Sequence, residues 1–182
     1  METVEIYLDN PIILDVVDAG LELISENEVF CELPEPEYAG YYISNYARLY
    51  SAKSGRLLTP QMIGDSKKEQ LRPAYYLQNK FKHSRAVRIA GLVAKVFCRN
   101  NYPDEKTCVH HKSGDVRISS WDELEIVPYS VHNSLHFGIS VALYDNNSGE
   151  LEVFPTIKAL SEHLGIHRNV IGNALYDIRR GK

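Results

Sequence analysis

Residues 109–133 read VHHKSGDVRISSWDELEIVPYSVHN and contain two adjacent histidines, His110 and His111, followed by a turn signal at Gly114. Neighbouring residues of a strand point to opposite faces. At a strand end beside a turn, however, both imidazoles can converge on one metal ion and one reacting water. A helix is predicted to follow and to end by residue 127, with Ser119 or Ser120 as its cap and acids in its first turn.

Two more histidines lie downstream, at His132 and His136, and on a helix this spacing of four places them on one face. Four histidines within 27 residues supply ligands for a divalent metal ion. Surface histidines are also common, so a solvated cluster without metal stays open on composition alone.

The net charge of −4 hides a strong division along the chain. Residues 1–40 hold eleven acids and no Lys or Arg, residues 41–100 hold twelve bases and two acids, and residues 101–182 hold eight bases and eleven acids. A basic stretch of this density, with tyrosines interleaved, is typical of phosphate contact. A solvated basic face is the alternative.

The basic middle alternates apolar and polar residues and therefore predicts strands. Residues 38–60 (YAGYYISNYARLYSAKSGRLLTP) predict short strands with a hairpin turn at 51–55, preceded by a Pro-rich linker at 33–37. Residues 74–82 predict a further strand with Tyr76, Lys80 and Lys82 on one face, and residues 87–97 predict a core helix.

The C-terminal residues predict a β-hairpin, at 139–144 and 151–154, and then two short helices joined at Gly165. Thr156 is the expected cap of the first helix. The second helix would present Arg168, Asn169 and Asn173, which are residue types that contact base edges. A helical hairpin without a ligand is the alternative.

The composition argues against membrane, secreted and disulfide-rich proteins. No apolar run approaches the roughly 20 residues that span a bilayer, and the N-terminus has no basic region of a signal peptide. Three cysteines without CxxC spacing do not predict a disulfide framework or a cysteine zinc site. We expect a cytoplasmic protein with reduced thiols.

Three regions of the chain resemble parts of one nuclease family, and along the chain they follow the family's order. Residues 109–133 resemble the HNH (ββα-metal) motif of phage and intron-type homing endonucleases, and Leu92 to Phe97 resembles the helix that precedes it. Residues 38–60 resemble the DNA-contact module fused to these nucleases, through Gly40, Tyr41, Ser44, Asn45, Arg48 and Ser51. The tail from Val141 resembles their C-terminal helix-turn-helix module.

The resemblance assigns roles to four side chains. His111 stands at the catalytic general base, and Glu123 at the residue that orients it. His110 and His132 stand at the two metal-ligand positions. The family has Asn or Asp at the position of His110 and usually Asn at the position of His132. The implied cofactor is a divalent ion, Mg or Mn, with Zn or Ni favoured by imidazole ligands.

We therefore predict an α+β, modular protein. Its segments are an acidic N-terminal extension at 1–37, a DNA-contact module with a core helix at 38–100, a ββα-metal HNH core at 101–137, and a β-hairpin plus helix-turn-helix module at 138–182. The expected activity is metal-dependent hydrolysis of a DNA phosphodiester.

The expected partner is double-stranded DNA, bound by a monomer in the cytoplasm of a bacterial host, with the protein encoded by a phage and no membrane involved. Predicted DNA contacts are Arg48, Lys53, Arg56, Lys80, Lys82, Arg168, Asn169 and Asn173. The acidic segment could fold back on the basic middle and compete with DNA, or contact another protein. The alternatives are a catalytically degenerate DNA-binding regulator and a phage protein that binds a host protein.

Overall fold

The computed structural model describes residues 4–64, 71–137 and 140–179. They form a mixed structure of small antiparallel sheets and helices, which confirms the predicted α+β class. The chain divides into two compact units, residues 1–127 and 128–182. The division into four modules at 1–37, 38–100, 101–137 and 138–182 stays a prediction. Within the described ranges, no helix is long and apolar enough to cross a membrane.

The first sheet has the order β1-β2-β3-β4 and contains the predicted strands of residues 38–60. Its strands are β1 (Phe30–Glu32), β2 (Tyr41–Ser44), β3 (Leu49–Ser51) and β4 (Arg56–Leu57). The predicted turn between β3 and β4 is confirmed, with Gly55 at a φ of 62°, a left-handed conformation that glycine adopts without steric cost. Ile43 and Leu49 face each other in the register and are fully buried.

The acidic segment is part of this unit. Ile13 forms an isolated bridge with Cys31 of β1, and the Tyr7 amide donates to the Val96 carbonyl at 2.8 Å. The predicted linker at 33–37 also differs in the structure, because Leu33 is buried and Pro36–Tyr38 form a 3-10 turn. Leu33, directly before the first proline, and Tyr38, directly after the stretch, both lie in the core, so these residues pack against the first unit.

The second sheet has the order β5-β6-β7 and supports the core helix. It consists of β5 (Gln61–Ile63), β6 (Arg72–Gln78) and β7 (Ser84–Arg88), and α1 (Ile89–Phe97) follows directly. Leu92, Val93 and Val96 of α1 lie in the same core as Leu77 of β6. The predicted helix is confirmed. The predicted strand ends at Gln78, so Lys80 and Lys82 lie in the loop after it and do not share a strand face with Tyr76.

The predicted strand-turn-helix at 107–127 is half right. The strand β8 (Thr107–His111) and the turn at Gly114 are present, but the helix is not. A 3-10 turn at Trp121–Glu123 leads instead into β9 (Leu124–Pro128), which pairs with β8. The serine and acids resemble a cap, but β-branched Ile126 and Val127 favour a strand, and Pro128 disfavours helical backbone before it.

The second unit begins with α2 (Tyr129–Phe137). The predicted hairpin and helix pair are confirmed as β10 (Val141–Tyr144), β11 (Leu151–Phe154), α3 (Ile157–Leu164) and α4 (Arg168–Arg179). The Thr156 hydroxyl accepts from the Ala159 amide at 3.0 Å, and Gly165 ends α3 in a left-handed conformation. The small core of this unit contains Val141, Phe154, Leu160 and Ile171.

Candidate active site and DNA-contact surfaces

The adjacent histidines His110 and His111 are the last two residues of β8, which pairs with β9. His110 is buried, with 8% of its surface exposed, and its Nε2 lies 3.9 Å from Oε1 of Glu125 on β9. This separation is longer than a hydrogen bond, so the two groups are neighbours across the paired strands.

His111 carries a polar atom that lacks a partner. Its Nε2 is buried and has no hydrogen-bond partner among the described residues. Burial lowers the pKa of His111 below its ordinary value of 6.5, the positive charge of Arg72 and the neighbouring His110 lower it further, and the negative charges of Asp115 and Glu123 oppose the shift. The ring is consequently neutral at physiological pH, with a nitrogen lone pair available to accept a proton.

The loop after His111 is closed by contacts with Glu123, the last residue of the 3-10 turn before β9. The Lys112 amide donates to the Glu123 carbonyl at 2.9 Å, and the Ser113 amide donates to Oε2 of Glu123 at 3.2 Å. Gly114 takes a φ of 78° in the turn. The structure thus places Glu123 beside His111, where its charge acts on the imidazole; its predicted orienting role stays a prediction.

The two predicted metal ligands lie in different units. His110 belongs to the first unit, and His132 is half-buried on α2 of the second. His136 is also on α2, but its side chain falls outside the described part. Over the residues that the structure describes, no group of three His, Cys, Asp or Glu side chains forms a preformed metal cage. Metal ligation by His110 and His132 stays a prediction.

Arg48, a predicted DNA contact, already has protein partners. Its guanidinium donates from Nε and Nη2 to the two carboxylate oxygens of Glu28 at 2.9 and 2.6 Å, and from Nη2 to the Glu22 carbonyl at 2.8 Å. The Glu28 side chain is fully buried. Burial raises the pKa of Glu28, but hydrogen bonds from Arg48, the Ile24 amide and Ser44 bring the net pKa below its ordinary value. Arg48 therefore ties the acidic segment to the first sheet.

Ser44 and Asn45, which carried part of the resemblance, are also structural. Both are fully buried. The Asn45 side chain accepts from the Val29 amide at 2.9 Å and donates to the Asn27 carbonyl at 3.2 Å. Asn45 also accepts, through its carbonyl, from the Trp121 amide at 2.9 Å. This residue therefore joins the acidic segment, the first sheet and the β8–β9 loop.

The other predicted DNA contacts are exposed. Lys53 and Arg56 flank the β3–β4 turn, and Lys80 and Lys82 occupy the β6–β7 turn. Arg168, Asn169 and Asn173 are exposed on α4. Their positions are compatible with DNA contact, which stays a prediction for all seven.

Sequence reasoning did not single out Arg72, whose charge acts on His111. Arg72 opens β6, thirty-nine positions before His111 in the chain, and pairs there with Ile63 of β5. The only signal in the sequence was its membership of the basic middle, because no local pattern connects the two strands.

Residues 139–175 match the NUMOD1 domain model. This agrees with the resemblance of the tail to a nuclease-associated module. A solved structure titled "DNA binding and cleavage by the HNH homing endonuclease I-HmuI" is similar over 84% of this chain and 90% of that one, at 20% identity and a TM-score of 0.48. No curated protein matches the chain.

Proposed function

We propose that this protein is a metal-dependent DNA endonuclease of the HNH type, with His111 as general base. The observation that carries the proposal is the buried, unpartnered Nε2 of His111 at the end of β8. A buried polar atom without a partner costs free energy comparable to a lost hydrogen bond. A catalytic role, in which a substrate or a reacting water completes the atom's hydrogen bond, is one of the explanations for such an atom.

The chemistry of the site suits phosphodiester hydrolysis. A neutral imidazole can take a proton from the attacking water, and its lowered pKa keeps it unprotonated at physiological pH. The positive charge of Arg72, which disfavours the imidazolium, also favours a phosphate anion at the same place. Base and phosphate-attracting charge therefore come from β8 and β6 of one compact unit.

The donor atoms near His111 fit a divalent ion of the transition series. His110, with the Glu125 carboxylate 3.9 Å from its Nε2, is the first predicted ligand, and imidazole favours Zn, Ni, Co or Mn over Mg. Such an ion would neutralise charge on the leaving 3′ oxygen. With no cage of three protein ligands in the described ranges, phosphate oxygens and water would supply the other ligands. The second predicted ligand is His132.

DNA binding is supported from both units. The first carries exposed basic turns, and the second carries the NUMOD1 match with a capped helix pair whose α4 exposes Arg168, Asn169 and Asn173. We propose that these surfaces bind double-stranded DNA, through phosphate contacts in the first unit and base contacts in the second.

Plasmid cleavage with Mg²⁺, Mn²⁺, Ni²⁺ or Zn²⁺ tests the proposal. The wild-type protein should nick or linearise plasmid in at least one metal, and His111→Ala should lower the rate about 100- to 10,000-fold, as expected for loss of a general base. His163→Ala, an exposed histidine of α3, is the matched control and should cleave normally. Cleavage that survives His111→Ala would refute the assignment of the base.

A DNA-binding protein without nuclease activity is the second candidate. It is favoured by the lack of a three-ligand metal cage among the described residues and by histidine at both positions where the resembling family carries Asn or Asp. Salt-dependent DNA binding with no cleavage in any of the four metals would select it.

A further inference from the structure

The turn between β6 and β7 presents an exposed aromatic ring at its tip. Phe81 is 66% exposed, although a phenylalanine of a soluble domain gains about 2 kcal/mol when its side chain is buried. It lies in the five-residue turn 79–83, between strands whose inward residues Tyr75 and Leu77 are buried. The hairpin is thus anchored in the core at one end and carries a free apolar ring at the other.

The turn that carries Phe81 is held by several hydrogen bonds. Oδ1 of Asn79 accepts from the amides of Phe81 and His83, both at 3.0 Å. The Asn79 amide donates to the His83 carbonyl at 2.9 Å, and the Lys82 amide donates to the Asn79 carbonyl at 3.0 Å. Lys82 is held at a φ of 65°, which a non-glycine residue keeps only where its surroundings enforce it. The ring therefore projects from a fixed support.

The hairpin's own residues carry charge of one sign, and the nearby acid Glu37 forms an ion pair with Arg85 of β7. Residues 71–103 contain seven Lys or Arg and no acid. Lys80, Lys82 and His83 next to the ring are all exposed, and Nζ of Lys80 lies 5.2 Å from the centroid of Phe81. The turn therefore combines an apolar ring at its tip with two exposed ammonium groups that can contact phosphates.

We propose that Phe81 is a wedge that inserts between base pairs of duplex DNA and kinks it, while Lys80 and Lys82 hold the flanking phosphates. The inference rests on the proposed function in requiring that the protein bind DNA. Phosphate contact alone would explain the lysines but would leave the ring facing water. An apolar side chain between cations, on a rigid protrusion, is suited to partial unstacking of a base step.

A protein partner fits the hairpin less well, since the absence of acids over residues 71–103 would demand a strongly acidic partner with a pocket for the ring. Duplex DNA supplies both the negative charge and an apolar space between its bases. The proposal thus commits to duplex DNA and to a distortion of it.

The test compares two 30-base-pair duplexes of one sequence, one fully paired and one with a single unpaired nucleotide at its centre. Stacking is already lost at the bulge. A wedge that inserts there therefore avoids the free-energy cost of unstacking that it meets in paired DNA. The full-length protein should bind the bulged duplex about tenfold more tightly at low salt. Phe81→Ala should abolish that preference and lower affinity for paired DNA only a few-fold.

Two controls separate the wedge from simpler contacts. The double variant Lys80→Gln, Lys82→Gln should lower the affinity for both duplexes by the same factor, as expected for loss of phosphate contacts. Tyr76→Ala removes a ring that is 51% exposed on the strand itself, and it should keep the preference. Energy transfer between dyes at the ends of the paired duplex should show bending with the wild type and less with Phe81→Ala.

The outcomes divide cleanly. A bulge preference that Phe81→Ala retains overturns the wedge and leaves the proposed function untouched. The wedge is also overturned if Phe81→Ala abolishes binding to vesicles of anionic lipid and leaves the affinity for DNA unchanged. If the wild type binds neither duplex at low salt, the proposed function itself fails.

Discussion

We expect the ionisation of His111 to depend on its burial and, in part, on Arg72, and the Arg72 contribution can be measured without any activity. Burial and the Arg72 charge lower the pKa of the imidazole. We expect Arg72→Gln to raise that pKa towards 6.5, its ordinary value, and Arg72→Lys to leave it low. Titration of the His111 ring resonances by NMR gives both values directly.

The same shift sets the direction of the pH effects. Because the folded chain disfavours the imidazolium, the unfolded chain binds the proton first as the pH falls through 6.5. This contribution to stability is therefore present above that pH and lost below it. For the proposed nuclease, the acid limb of the rate should lie below pH 6.5 and move upward in Arg72→Gln. If Arg72→Gln left the acid limb of the pH–rate profile in place, the limb would report a group other than His111.

At the scale of elements, the pair of Glu28 and Arg48 connects the acidic segment to the first sheet. Removing one partner of a buried ion pair costs about 3 to 5 kcal/mol, whereas replacing both by apolar residues can be nearly neutral. Urea unfolding should show a loss of about 3 kcal/mol for Arg48→Met, with part of it recovered in the double variant with Glu28→Met. The pair stabilises the fold above pH 4.5 and is lost as the pH falls through the lowered pKa of Glu28.

Lys53 is the matched control for Arg48, since it is exposed on the turn of the same sheet. Lys53→Met should weaken DNA binding without changing the urea midpoint. If Arg48→Met instead kept the midpoint and weakened DNA binding as much as Lys53→Met, Arg48 would be a DNA contact as the sequence predicted.

Elements with a clear period were predictable from the sequence, and contacts between distant elements were not. The strands of residues 38–60, α1 and the pair α3 and α4 follow from apolar spacing and from local signals such as Thr156 and Gly165. Helix and strand were confused at 119–127, where a cap-like serine and acids precede Ile126, Val127 and Pro128.

The candidate site divides in the same way. His110 and His111 were found because they are adjacent in the chain. The Arg72 contribution and the Glu28 pair join residues that lie 39 and 20 positions apart, and no periodicity reports such contacts. Only the packed unit shows that the acidic segment is bound into the core.

At the scale of the whole molecule, part of the acidic segment's charge is exposed, and in the proposed DNA complex it would repel phosphates. Glu28, Glu35 and Glu37 form ion pairs with Arg48, Lys95 and Arg85 of the basic middle. Six other acids of the segment are exposed. Glu5 accepts a hydrogen bond from Tyr7, and Asp15 accepts from the Val17 and Asp18 amides, which leaves Asp9, Asp18, Glu22 and Glu26 for a test of charge alone. They belong to the same compact unit as the basic β6–β7 hairpin. Deleting the segment cannot test their effect, because it removes β1 and Leu33 from the core.

Neutralising these four acids as Asn or Gln keeps the fold and isolates the charge. We expect DNA affinity to rise about three- to tenfold at about 0.05 M salt, because repulsion of phosphates is only weakly screened there. At about 0.5 M salt the Debye length falls to roughly 4 Å, and the gain should vanish. Fluorescence anisotropy over a salt series measures both limits. Affinity unchanged at low salt would show that the exposed acids face away from the DNA path, and competition between this segment and DNA would then be excluded.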